Sequence, residues 1–198
     1  MKQNNAILQY SKVGIALLFV VTLFSCAEKK QEKKEEKSPQ ITQERLGGLA
    51  LYTVRTDMGN DAKSTLKAVA DAGYAYIEAA GYQNGKFYNL APEEFKSLLQ
   101  DLNLKAVSTH QGSVTMENAD VMMADVKAAG FEYFVIPVPP MGLFKVDPET
   151  RRMGMEGGAA NLAQILDKLG EKASKVGLKL LYHNHDFEFI ADEEGVIP

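Results

Sequence analysis

Three tripeptides, Asp71-Ala72-Gly73, Ala128-Ala129-Gly130 and Lys175-Val176-Gly177, each close an amphipathic stretch and each precede an apolar run. Glycine suits a helix end where the chain must pass through a left-handed conformation before turning into a strand. A corner that recurs in this way means strand and helix alternate, and alternation implies a parallel sheet, because consecutive parallel strands need a crossover between them. The spacing predicts strands over 46–54, 74–79, 104–109, 131–138 and from Leu178 onward, with helices over 63–71, 117–129 and 158–176. A further helix opens at Pro92 with Glu93 and Glu94, where proline sacrifices no hydrogen bond and acids meet the positive end of the dipole. Asn103 ends it. Two α/β architectures fit this pattern, a doubly wound open sheet and an eight-fold barrel. No glycine-rich phosphate fingerprint follows the first strand, which counts against a dinucleotide-binding sheet.

The first 45 residues do not share the pattern. Lys2 and Lys12 precede the apolar run from Val13 to Thr22, and Leu23-Phe24-Ser25-Cys26 follows. A basic start, a short apolar run and a small residue before a cut describe an export signal, too short for an ordinary spanning helix. Leu23-Phe24-Ser25-Cys26 resembles the bacterial lipoprotein signal-peptidase site, which implies that residues 1–25 are a lipoprotein signal peptide and Cys26 the lipid-bearing new terminus; the alternative is a plain cleaved signal with an incidental cysteine. Cys26 is the only cysteine, so the chain has no internal disulfide. Residues 26–45 are Glu, Lys, Gln and Ser with almost nothing apolar, which makes them a charged tether that cannot offset its ordering entropy. Residues 46–198 form the folded domain. The expected setting is an exported, membrane-anchored protein facing the periplasm or the cell surface. A net charge of −4 gives no electrostatic footprint for nucleic acid, and a small soluble ligand is the expected partner.

All three histidines, His110, His183 and His185, fall at the carboxyl end of an expected strand, as does Glu78. In either parallel architecture ligands bind at that edge. Alternation along an extended chain puts His183 and His185 on one face, where two imidazoles reach one ion or one substrate. Imidazole beside carboxylate is a ligand set for zinc, manganese, iron or cobalt. Two ligands do not hold an ion, so Glu78, His110, Asp186 or Glu188 are the candidates to complete it. Asp186 alternatively fixes a ring tautomer from outside, and Glu188 alternatively faces solvent. The stretch 81–89 alternates aromatics with amides, which suits a sugar with its apolar and hydroxylated faces, and equally suits packing of the rim. Tyr82, Lys86, Tyr88 and, between the two histidines, Asn184 are the candidate substrate contacts. The connection 139–157 carries Lys145, Arg151 and Arg152 and is either a lid over an anionic substrate or a solvated loop.

With these residues in place, the chain resembles the sugar phosphate isomerase/epimerase family of xylose isomerase-like barrels, which also includes inosose dehydratases and an endonuclease branch. The resemblance rests on Asp71-Ala-Gly-Tyr-Ala-Tyr-Ile-Glu78, Leu102-Asn-Leu-Lys-Ala-Val-Ser-Thr-His110 and Leu180-Leu-Tyr-His-Asn-His-Asp-Phe-Glu188. It implies a (β/α)8 TIM barrel that binds a divalent metal (Mn, Mg, Zn or Co) at its mouth, with His183 and His185 as metal ligands. In many members a glutamate ends strand five as the first ligand; His183 stands there in this chain, as in the dehydratase-like branch. The family's remaining ligands, an aspartate, a histidine and a glutamate, lie on strands six to eight. About 150 residues follow the tether, against roughly 250 for a complete barrel, so the domain is read as the N-terminal portion, cut after about five units.

The activity implied is a divalent-metal-dependent isomerisation or epimerisation of a keto-sugar through an enediolate, with Glu78 and His110 as the proton-transfer groups. Export shifts the expected substrate toward an unphosphorylated sugar or an oxidised glycoside. Two alternatives stand beside it: a 3-keto-glycoside lyase or dehydratase on the same site, and a sugar-binding lipoprotein without chemistry.

Overall fold

The computed structural model describes residues 46–191 together with Gly195 and Ile197. The signal, the tether and Cys26 lie outside the described residues. Five parallel strands form the main sheet: β1 (Leu46–Ala50), β2 (Tyr74–Ala79), β5 (Lys105–His110), β6 (Tyr133–Ile136) and β9 (Lys179–Tyr182). Two short antiparallel hairpins are separate from it, β3 (Tyr82–Gln83) with β4 (Lys86–Phe87), and β7 (Phe144–Val146) with β8 (Met153–Met155). The helices are α1 (Arg55–Asn60), α2 (Ala62–Asp71), α3 (Pro92–Asp101), α4 (Ala119–Ala128) and α5 (Gly158–Lys175).

The strand order in the sheet is β1-β2-β5-β6-β9, so each new strand joins the same advancing edge. A doubly wound sheet requires the order to reverse at a switch point. It does not reverse here, and α3 packs beside α4 and α4 beside α5 in the same sequence. This is barrel winding.

Local chemistry explains the element ends. Asp61 caps α2 by accepting from the Ser64 N–H at 3.0 Å, and Glu94 reaches back to the Ala91 N–H at 3.0 Å ahead of α3. Gly73, Gly130 and Gly177 have φ of 95°, 91° and 73° after α2, α4 and α5, and Asn103 takes φ 53° after α3. The expected corners are therefore present, with asparagine serving where glycine is absent. The first strand was expected to continue to Val54, but it stops at Ala50 and Leu51–Val54 is a 3-10 turn. The turn and α1 bury Leu51 and Met58, which anchor an otherwise polar loop to the core. The stretch 81–89 and the connection 139–157, both expected as loops, each contain a hairpin.

One irregularity in the sheet matters for function. Between β2 and β5, Ile77 pairs with Ala106 but the next residue, Glu78, pairs with Ser108, so Val107 is an extra residue. Ala106 is buried in the core, and Thr109 is fully buried beside Ala79 and Phe134. Residues 106 and 109 share the helix-facing side only because the bulge changes the phase of alternation. Ser108 and His110 thereby turn to the opposite side, with Glu78.

The core lies between sheet and helices. Its aromatic centre is Phe87, fully buried, with ring centroids 5.3 Å from Phe95 and 5.3 Å from Phe131. The first hairpin thus contributes a core side chain and is tied to the barrel wall. Phe87→Ala is expected to destabilise the domain by about 3–5 kcal/mol, read as a lowered urea midpoint with an unchanged slope.

Candidate functional site

The carboxyl ends of β2, β5 and β9 bring together Glu78, Ser108, His110, His183 and His185. Ser108 Oγ donates to Glu78 Oε2 at 2.6 Å, and His110 Nε2 lies 3.2 Å from the other oxygen, Oε1. Both Glu78 and His110 are partly exposed, so the pair is held by protein groups yet open to a ligand. Burial is the main influence on the His110 imidazole and pushes its pKa below the ordinary value. The Glu78 carboxylate opposes this, and the neighbouring His183 and His185 reinforce it. A neutral imidazole beside a carboxylate that accepts a serine hydroxyl is an arrangement suited to moving protons near neutrality.

The histidine cluster continues across the sheet. The rings of His110 and His183 are 5.0 Å apart, edge to face, and those of His183 and His185 are also 5.0 Å apart. The ladder of β6 and β9 extends to His183, whose N–H donates to the Ile136 carbonyl at 2.9 Å. Beyond it the backbone leaves the strand. The two rings are neighbours even so; a 3-10 turn follows at Phe187–Phe189, and the His185 ring stacks on Phe187 with centroids 5.8 Å apart.

Glu188 was expected to be either an ion ligand or a solvent-facing acid; the structure gives it another place. It is 4% exposed, accepts the Tyr182 hydroxyl at 2.6 Å on Oε1, and accepts the His185 N–H at 2.7 Å on Oε2. Burial first, then the Glu188 carboxylate, holds the Tyr182 phenol above its usual pKa, so it remains a donor. Asp186 is exposed.

The expected substrate contacts divide. The Tyr82 hydroxyl donates to Asp125 Oδ2 at 2.5 Å, linking the first hairpin to α4. The Tyr88 hydroxyl accepts the Ala80 N–H at 2.9 Å, and burial pushes its pKa up to about 12. Its ring occupies the space a side chain at Gly81 would need. Both tyrosine hydroxyls thus bind protein groups. Lys86 is exposed on β4, and Asn184 is exposed with Nδ2 3.4 Å from the His185 carbonyl. In the second hairpin Lys145 pairs with Glu156 at 3.3 Å, while Arg151 and Arg152 are exposed near its tip. The ring of Phe144 lies 6.0 Å from that of Phe187, which docks this hairpin beside the turn that carries Glu188.

Sequence reasoning missed Ser108. Ser108 lies inside the stretch Leu102–His110, but nothing there marks it as a chemical group, and its direction depends on the bulge at Val107. A cavity of about 540 Å³ runs down the face of the sheet away from the helices, with Tyr76, Val107 and Tyr133 in its wall and Glu78 and Ser108 at its upper end. His183 and His185 are chemically suited to a first-row divalent cation, and His185 Nδ1 is buried without a hydrogen-bond partner. Among the described residues, however, no group of three or more His, Cys, Asp and Glu side chains is placed to hold a metal ion. These residues alone do not make a metal centre.

Neither a family model nor a curated protein matches the chain. Solved structures do. A sugar phosphate isomerase/epimerase from Parabacteroides distasonis ATCC 8503 is 25% identical, with a TM-score of 0.57, over 77% of this chain and 55% of its own. A second from the same strain is 23% identical, with a TM-score of 0.56, over 74% of this chain and 58% of its own. The chain thus spans a little over half the length of these structures. The likeness agrees with the strand order and helix packing above: the described residues have the fold of a xylose isomerase-like (β/α)8 barrel, over five of its strands and the helical connections between them.

Proposed function

We propose that the protein is a sugar isomerase or epimerase that moves a proton at the carbon next to a carbonyl. The observation that carries this reading is the Glu78, Ser108 and His110 assembly at the carboxyl edge of a parallel barrel sheet, 5.0 Å in ring distance from His183. Similarity to two sugar phosphate isomerase/epimerase structures supports the substrate class.

In this reading Glu78 accepts the carbon-bound proton. Ser108 occupies its Oε2, so Oε1 is the oxygen that faces the substrate and His110. The His110 imidazole, kept neutral by its burial, exchanges a proton with the sugar oxygen as charge develops there. An enediolate forms; Glu78 returns its proton to the neighbouring carbon for isomerisation, whereas epimerisation takes a proton from a second acid on the opposite face of the sugar, outside the Glu78–Ser108–His110 group. Lys86 and Asn184 are the exposed groups available for sugar hydroxyls. A divalent cation, when bound, supplies Lewis-acid stabilisation of neighbouring sugar oxygens. His183 and His185 would provide two of its ligands, and imidazole donors favour zinc or cobalt over magnesium. The setting proposed is outside the inner membrane, anchored through lipid on Cys26, and this favours an unphosphorylated sugar.

Incubating the protein with a ketohexose in deuterium oxide is expected to place deuterium on the carbon beside the carbonyl, with no aglycone involved. Glu78→Gln should slow this exchange about 10²- to 10⁴-fold. An unchanged rate in that variant overturns the assignment, and release of a free aglycone from a 3-keto-glycoside without such exchange identifies the lyase alternative.

Cys26→Ser is expected to move the protein from the membrane fraction to the soluble fraction when it is expressed with its own leader in a bacterial host. The wild-type protein should incorporate radiolabelled palmitate, and a wild type without label refutes the anchor.

A further inference from the structure

We propose that Glu188 is a positioning residue that sets the spacing of the His183 and His185 imidazoles by holding the loop between them to the end of β9. This deepens the reading of the mouth given above and rests on His183 and His185 acting together there. Three observations lead to it.

First, the carboxylate is 4% exposed and both of its oxygens are taken, one by the Tyr182 hydroxyl at 2.6 Å and one by the His185 N–H at 2.7 Å. Burying an ionised group is costly unless it is well paired, and two short charge-assisted bonds are what such a group requires. Second, these two donors bracket the segment that carries the imidazole pair. Tyr182 is the last strand residue, His183 makes the last ladder bond through its N–H, and His185 is the point where the chain has already turned. One side chain therefore closes the loop from both ends. Third, the turn that carries Glu188 is itself fixed. The N–H of Phe189 donates to the Asp186 carbonyl at 3.1 Å, Phe187 is buried, and its ring meets both His185 and Phe144. The clamp has a firm base.

With its oxygens engaged and its side chain buried, Glu188 is not placed to act as a ligand in the mouth. Its effect reaches the site through the main chain of His185. A strand that ran on past Tyr182 would hold the two side chains on one face about 6.6 Å apart, at about 3.3 Å per residue. In the observed loop the two ring centroids are closer, 5.0 Å apart.

The test uses the full chain, metal-free, with the imidazole–imidazole NOE between His183 and His185 and the amide exchange rate of His185 as readouts. In Glu188→Ala the NOE is expected to disappear and the His185 amide to exchange about tenfold faster or more, while the amides of β1, β2, β5 and β6 stay protected. Glu188→Gln should restore both. Its amide oxygen accepts from the His185 N–H, and its N–H₂ donates to the Tyr182 hydroxyl, which rotates to accept. A retained NOE in Glu188→Ala, or a glutamine variant that behaves like alanine, overturns the proposal. Should the alanine variant lose strand protection as well, Glu188→Asp decides the question. It keeps the charge but is too short to reach both donors, so a weakened NOE supports positioning and an unchanged one refutes it. Cobalt titration then separates the two levels of the argument. Wild-type binding that falls about 10- to 100-fold in Glu188→Ala supports both. No cobalt binding by a wild type whose NOE still depends on Glu188 sinks the metal reading and leaves the clamp standing.

Discussion

The mouth of this molecule depends on one extra residue in one strand. Val107 interrupts the pairing of β2 with β5, and from that point the faces of β5 are exchanged. Without the slip, Ser108 and His110 would continue the side begun by Ala106 and lie under the helices. With it they join Glu78 on the open side, where the carboxylate accepts the Ser108 hydroxyl on one oxygen and lies 3.2 Å from the His110 imidazole on the other. Bulges cost a ladder bond and persist where they redirect a side chain to some use. This one lies beside the groups with the most evident chemistry.

Around that feature the fold divides its labour by layer. Helices cover one face of the sheet and enclose an aromatic centre at Phe87, Phe95 and Phe131. The other face carries Glu78, Ser108 and His110 and an open hollow that Glu78 and Ser108 border. The connections between strands and helices do structural work in addition to spanning gaps. Through Phe87 the first hairpin fills the core, and through Tyr82 it is tied to Asp125. The second reaches the turn beyond β9 through Phe144. Residues with the look of sugar contacts, Tyr82 and Tyr88, turn out to hold the rim together through their hydroxyls. The two carboxylates follow the same division. Glu78 is partly exposed at the edge of the sheet, while Glu188 is closed in and bonded to Tyr182 and the His185 N–H.

Much of this was legible in the chain itself. The corners at Gly73, Gly130 and Gly177 mark places where the backbone has to turn left-handed, a requirement that glycine announces directly. Helix stripes such as Leu162, Ile165, Leu166 and Leu169 in α5 announce a buried side in the same way. The strand-end positions of Glu78, His110 and His183 follow from those boundaries. What escaped has physical reasons as well. The hairpins are two or three residues per strand, too short for any periodicity to show. The first strand ends at Ala50 because Leu51 is drawn into the core, a decision made by packing and not by the β-branched residues that follow it.

Local composition, then, was enough to set the alternation of elements, the parallel sheet and the edge at which chemistry gathers, because each is a short-range consequence of backbone preference and apolar spacing. Element spacing left barrel and open sheet both standing, the resemblance of three motifs pointed to the barrel, and strand order, a property of contacts between residues far apart in the chain, decided it. The same holds for the direction of His110, which depends on how two strands register against each other. The hold of buried Glu188 on Tyr182 and the His185 N–H likewise came only from tertiary structure, because hydrogen bonds of that kind have no signature in one dimension.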